Sequence, residues 1–210
     1  MRRVLAQGFT LVELLIVIAL LGVIATIVIA AINPIEQAKR AADAGQKANG
    51  SQLVSAYQRY FVSNNEYPWN KVDPTTYKSA DAAFGFVDVQ SADAGLCDPS
   101  SGCGTPGEII TSGELQTAFL SRSFINTTDV TKKLFVGLGA ASSTTQAQPT
   151  VYVCWIPQSS SSRTTLATAT KIVDLQSGFT NGLPAYSATC ADWTAVDGNG
   201  IPACGECVPE

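Results

Sequence analysis

The sequence contains no histidine, and charged side chains are few and unevenly placed. Without imidazole the chain cannot run Ser-His-Asp or Cys-His catalysis, and it cannot ligate a metal through histidine. An enzyme is therefore not expected, nor is a cofactor. Basic residues are outnumbered by acidic ones, 13 to 17, so the exterior offers no electrostatic footprint for nucleic acid. Cysteine is missing from everything before Cys97. Charge is nearly missing from one long stretch: between Phe9 and Ile32 the only polar side chains are Thr10, Glu13 and Thr26.

At about 1.5 Å per residue that stretch forms a helix of roughly 36 Å, enough to cross a hydrocarbon core of about 30 Å. Glu13 is the anomaly in it. An acidic side chain inside a span costs on the order of 2.5 to 3.5 kcal/mol on insertion scales, which marks it as a functional candidate. A secretory signal peptide has an apolar region of roughly 7 to 15 residues before its cleavage site. This run is longer and contains the carboxylate. A plain single-pass anchor fits the length but gives no reason for Glu13.

The pattern Arg2-Arg3, Gly8-Phe9, Glu13 and an unbroken apolar run from Leu14 to Ile32 resembles the N-terminus of a type IV prepilin, over about the first 60 residues. The resemblance implies cleavage between Gly8 and Phe9 by a prepilin peptidase, N-methylation of Phe9, and retention of the helix. It would serve first as an anchor in the cytoplasmic (inner) membrane and later as the core of a helical homo-oligomeric filament. The implied partners are the peptidase, the membrane, an inner-membrane assembly platform and further copies of the chain. The implied location is the membrane for the precursor, then a filament on the cell surface. Removing residues 1–8 takes Arg2 and Arg3 away and leaves 11 basic against 17 acidic residues, a net charge of −6.

Gly22 interrupts the span, and Asn33-Pro34 follows it, predicting a kink near residues 30–34. In pilins a glycine and a proline flank a segment that unwinds on assembly, and Gly22 and Pro34 stand near those places. From Ile35 the spacing of Ala38, Ala42, Leu53, Tyr57 and Phe61 predicts an amphipathic helix ending near Ser63. Gly45 and Gly50 predict a flexible joint, with firm packing only from about Gly50 onward. Thr111-Ser112-Gly113-Glu114 reads as the cap of a short helix over Leu115–Leu120. Three strands are expected at Leu134–Leu138, Val151–Ile156 and Lys171–Leu175, with Ser/Thr-rich links between them. The organisation expected is a leader at 1–8, a membrane or filament-core helix at 9–33, an amphipathic helix at 34–63 and an exported domain at 64–210. The fold class is α+β, pilin-like: a long kinked N-terminal helix, an antiparallel sheet packed on its C-terminal half, and a disulfide-stapled C-terminal loop.

Cys97, Cys103, Cys154, Cys190, Cys204 and Cys207 all lie after the span and read as disulfides of an oxidising compartment. Cys97 and Cys103 are close in sequence, and Cys154, on a strand, must reach the tail. The tail from Thr189 shows no regular pattern. Cys204-Gly205-Glu206-Cys207 also has the spacing of a redox pair, and with Cys97 and Cys103 it offers four thiolates for zinc. Disulfides are the preferred reading, and no metal is expected. Asp192, Asp197 and Asn199 are weak calcium candidates whose alternative is a plain Asp-Gly turn. Two related functions share the N-terminal pattern, a pseudopilin of type II secretion and a minor pilin of a DNA-uptake pilus. A membrane-anchored extracellular binding domain is the reading from another class.

Overall fold

Apolar side chains on every face make a helix whose own hydrogen bonds are its only polar satisfaction, and α1 (Leu11–Ile32) is such a helix. The computed structural model describes residues 8–71, 83–91, 94–98, 102–141 and 149–209; Arg2 and Arg3 lie outside these described residues. The chain divides into two units, Met1–Ala38 and Lys39–Glu210. In the first, α1 passes through Gly22 without a break, and no neighbouring atom lies within 4 Å of where a Cβ would stand there. The expected interruption at Gly22 is absent because one glycine weakens a helix by only about 1 kcal/mol. The kink expected near residues 30–34 is present at Asn33, which adopts the left-handed conformation with φ 48° and ψ 70°, one that asparagine tolerates. Its Oδ1 accepts a hydrogen bond from the Glu36 N–H at 3.4 Å. Pro34 then opens α2 (Pro34–Asn64). Its missing N–H costs nothing at a first helical position, so proline here starts a helix rather than bending one.

In the second unit, α2 lies against a six-stranded antiparallel sheet in the order β1-β4-β5-β8-β6-β7. The strands are β1 (Phe84–Asp88), β4 (Phe135–Gly139), β5 (Thr150–Trp155), β6 (Ile172–Thr180), β7 (Leu183–Ser187) and β8 (Cys204–Val208); β2 (Cys97–Asp98) and β3 (Gly102–Pro106) form a separate pair. Alternate side chains of a strand face opposite ways. Val151, Val153 and Trp155 of β5 therefore join Leu53, Val54, Ala56 and Tyr57 of α2 in one core. Tyr152 and Cys154 join Phe86, Phe135, Val173 and Leu175 in a second core on the other face. With both faces covered, β4 is buried along its whole length.

The second core exists because the sheet curls. The Asn181-Gly182 turn, with φ 51° and 81°, is the two-residue hairpin connection whose twist suits antiparallel strands. A Cβ on Gly137 would come 2.9 Å from the rings of Phe86 and Phe179, and one on Gly139 would collide with the Gly182 carbonyl oxygen. Both β4 glycines thus leave room for the β6–β7 hairpin.

Several sequence expectations are corrected. Gly50 is no joint. It is buried, and a Cβ there would stand 3.1 Å from Val208 and 3.5 Å from Trp155 and Val153, so it lets α2 approach the sheet. Packing also begins before Gly50: buried Asp43 accepts the backbone N–H groups of Gln158 at 2.6 Å and Ser159 at 3.0 Å, and buried Gln46 donates to the Lys132 carbonyl at 2.8 Å. Thr111 ends α3 (Glu108–Thr111) instead of capping the next helix, and residues Thr117–Ser121 form a 3-10 turn opened by Gln116. The Ser/Thr-rich link after β5 contains α4 (Ser160–Ala169), capped by Ser159. The tail is not irregular throughout, since β8 inserts between β5 and β6.

All six cysteines are bonded: Cys97–Cys103, Cys154–Cys207 and Cys190–Cys204. Cys204 and Cys207 bond to separate partners, which rules out a redox pair within their C-x-x-C spacing and a four-thiolate zinc site with Cys97 and Cys103.

Two predictions follow from this packing. Asp43→Ala orphans two backbone donors beneath α4, and the full-length chain in detergent should lose about 2 to 3 kcal/mol of stability, read as a lower urea midpoint. An unchanged midpoint would mean that these N–H groups find other partners. Loop-closure entropy grows with separation, here 53 residues for Cys154–Cys207 against 6 for Cys97–Cys103. The Cys154→Ala/Cys207→Ala variant should therefore lose roughly 4 kcal/mol and Cys97→Ala/Cys103→Ala about 2; the reverse order in unfolding midpoints would contradict it.

Candidate functional site

Thr10 and Glu13 close the N-terminus of α1 with a capping box. Glu13 Oε2 accepts from the Thr10 N–H at 3.1 Å and from its hydroxyl at 3.0 Å, while Thr10 Oγ1 accepts from the Glu13 N–H at 3.2 Å. A carboxylate at the first turn also suits the positive end of the helix dipole. The sequence reading missed this role, although Thr-x-x-Glu ahead of an apolar run is its signature. Glu13 is thus both a local cap and the only ionisable group of α1.

Gly8 and Phe9 precede this cap in non-helical chain, and Phe9 is 83% exposed. An exposed dipeptide outside regular structure is open to a second protein, as proteolytic processing requires. Leu11–Ile29 is long and apolar enough to cross a membrane, and none of it is buried by the rest of the chain. Gly22 stands inside this helix and Pro34 beyond its end, so the two are not brought together into a site.

The tail candidates are engaged in their own turns. Asp192 Oδ1 accepts from the Thr194 N–H and hydroxyl, both at 2.8 Å. The backbone bond, then the hydroxyl, hold its carboxyl below the usual range. Asp197 Oδ1 accepts from the N–H groups of Asn199 at 2.8 Å and Ile201 at 2.9 Å. Asn199 contributes its backbone to that turn. Among the described residues no group of three or more acids or cysteines is placed to hold a metal. The ring of Trp193 lies under the Arg163 guanidinium, 5.2 Å from its centroid, and packs against Leu166, Ile172 and Cys204.

A second feature was not legible in the sequence. Arg40 and Lys47 of α2, the hydroxyl face of α4, Lys171 and Tyr186 meet around a cavity of about 690 Å³. Its residues are scattered over the chain, and only the packing of α4 on the sheet assembles them.

Residues 5–29 match the family model of the prokaryotic N-terminal methylation motif. No curated protein and no solved structure matches the chain. The matched window contains Gly8, Phe9, Glu13, Gly22 and most of the apolar helix, and behind it stand the curled antiparallel sheet and the C-terminal disulfides. The N-terminus is a type IV pilin-like class III signal peptide leading into a pilin-like α+β fold.

Proposed function

We propose that this chain is a structural subunit of a type IV pilus-like surface filament. Prepilin peptidase removes residues 1–8 and methylates the new amine of Phe9. Residues 9–33 then hold the subunit in the membrane until the assembly platform transfers it into the filament, where the same helix becomes core. Residues 34–63 carry the exported domain of residues 64–210. The observation that supports this reading is α1 itself, apolar on all sides and uncovered, with one carboxylate a turn from its start.

Apolar packing does not by itself select helix over lipid, because lipid tails satisfy such a surface equally well. The charge supplies the selection. Cleavage creates a cationic amine at Phe9, and each ion alone is costly in an apolar environment. Two opposite charges about 4 Å apart at an effective dielectric near 20 attract by about 4 kcal/mol, offsetting much of that cost. Pairing Glu13 of one copy with the Phe9 amine of the next fixes the axial register of neighbouring helices.

The capping box and the ion pair make different demands on residue 13. Glutamine keeps the box, since it serves at that position as glutamate does, but carries no charge. Glu13→Gln and Glu13→Ala should both leave membrane levels and processing near normal while reducing sheared surface filaments by about tenfold or more, the effect of losing at least 1.4 kcal/mol per contact. Filaments in normal amount from Glu13→Gln would reduce residue 13 to a cap and overturn its role in assembly.

A further inference from the structure

The groove beside α4 joins features that rarely share one concavity on an acidic protein. Its floor is apolar, formed by Leu166, Val173 and the Cys207 disulfide. Among the described residues that line it, Arg40, Lys47 and Lys171 stand with one acid, Glu206, which lies 3.7 Å from Lys47. Cations exceed acids there by two, whereas the chain as a whole bears a net charge of −4. A concave site of one sign with low-dielectric walls concentrates its field on whatever enters. The occupant it fits is acidic with an apolar tip.

The chain displays such a shape. Val196 is 49% exposed, one of the few large apolar side chains uncovered outside the N-terminal helix. Asp192 and Asp197 stand on either side of it. The loop is held by the Cys190–Cys204 disulfide, by the Arg163–Trp193 stacking and by a backbone bridge between Val196 and Pro202. Such pre-organisation removes most of the ordering cost of docking. The turn bonds of both aspartates fall on Oδ1, leaving each Oδ2 to meet a cation.

We propose that the cationic groove of one copy receives the Asp192–Asp197 loop of a second copy, with Val196 against the apolar floor. A patch that meets a different patch makes a heterologous contact, and a heterologous contact that does not close produces an open helical polymer. This contact rests on the filament reading above and adds to it a specific interface between the exported domains.

The test uses the full-length chain in cells that process it. With p-benzoylphenylalanine placed at Val196, irradiation of filaments and of membranes should give adducts between two copies that map to the segment 161–173 or to Tyr186. Arg40→Glu/Lys171→Glu should cut both adduct and sheared filament by about tenfold, the change that 1.4 kcal/mol makes in an association constant. Asp192→Lys/Asp197→Lys should do the same. Co-producing the two charge-reversed chains makes both contacts between unlike chains complementary, and combining both sets in one chain makes every contact complementary, restoring the yield to within about threefold of the original. Adducts confined to one copy, to another surface of the second copy or to a different protein overturn the proposal. So does a yield unchanged by reversal, or a defect that combination deepens. Wild-type cells that make no filament would refute the filament reading, and adduct mapping in their membranes would still decide the groove.

Discussion

Everything in this molecule answers to one constraint: α1 cannot be left in water. Fifteen large apolar side chains from Leu11 to Ile32 are exposed by the subunit's own fold. At about 1.5 to 3 kcal/mol each, covering them is worth on the order of 20 to 45 kcal/mol. That exceeds the roughly 5 to 15 kcal/mol that holds an ordinary domain together. The helix therefore needs an apolar environment, lipid or neighbouring helices. An even apolar surface gives no register, and the function proposed above assigns that task to the single carboxylate at Glu13.

The second unit, Lys39–Glu210, meets a different requirement, that of holding α2 firmly. It does so with polar pins and a close approach more than with large side chains. Asp43 holds two N–H groups beneath α4, Gln46 holds the Lys132 carbonyl, and Gly50 lets the helix backbone sit against Val153, Trp155 and Val208. Beyond Gly50 the packing becomes conventional, with Tyr57 fully buried and its hydroxyl donating to the Ala94 carbonyl at 2.5 Å. Burial drives that phenol far above its ordinary pKa, so it stays a neutral donor. The Cys154–Cys207 bond ties β8 to the centre of the sheet, making the tail part of the second core.

What was legible in the sequence was whatever a single local signal carries. The apolar run marks α1 by composition alone, and the continuous apolar run Val151–Ile156 identifies β5. The failures have a common cause in tertiary context. Cys204-Gly205-Glu206-Cys207-Val208 pairs on both sides and four of its five residues are buried, but a glycine and a glutamate among its cysteines leave neither an alternation nor an apolar run to mark it as a strand. Ser160–Ala169 has modest helix propensity, and its helix is stabilised by the Ser159 cap and the packing of Leu166. Nothing in the sequence marks Asp43 and Gln46 as buried, because their partners lie more than eighty residues away. Asn181-Gly182 was readable by the strongest short hairpin signal there is, and it lay just past the strand expected at Lys171–Leu175.

The central claim is that this chain is processed at Gly8-Phe9 and polymerised through α1. Intact-mass spectrometry of sheared surface material tests it most directly, because one spectrum reports the N-terminus, its methylation and the cysteine state of the assembled subunit. The account predicts a chain beginning at N-methylated Phe9, with all six cysteines oxidised, as a component of the sheared filaments. A chain that retains residues 1–8 and is found only in the membrane fraction would contradict it.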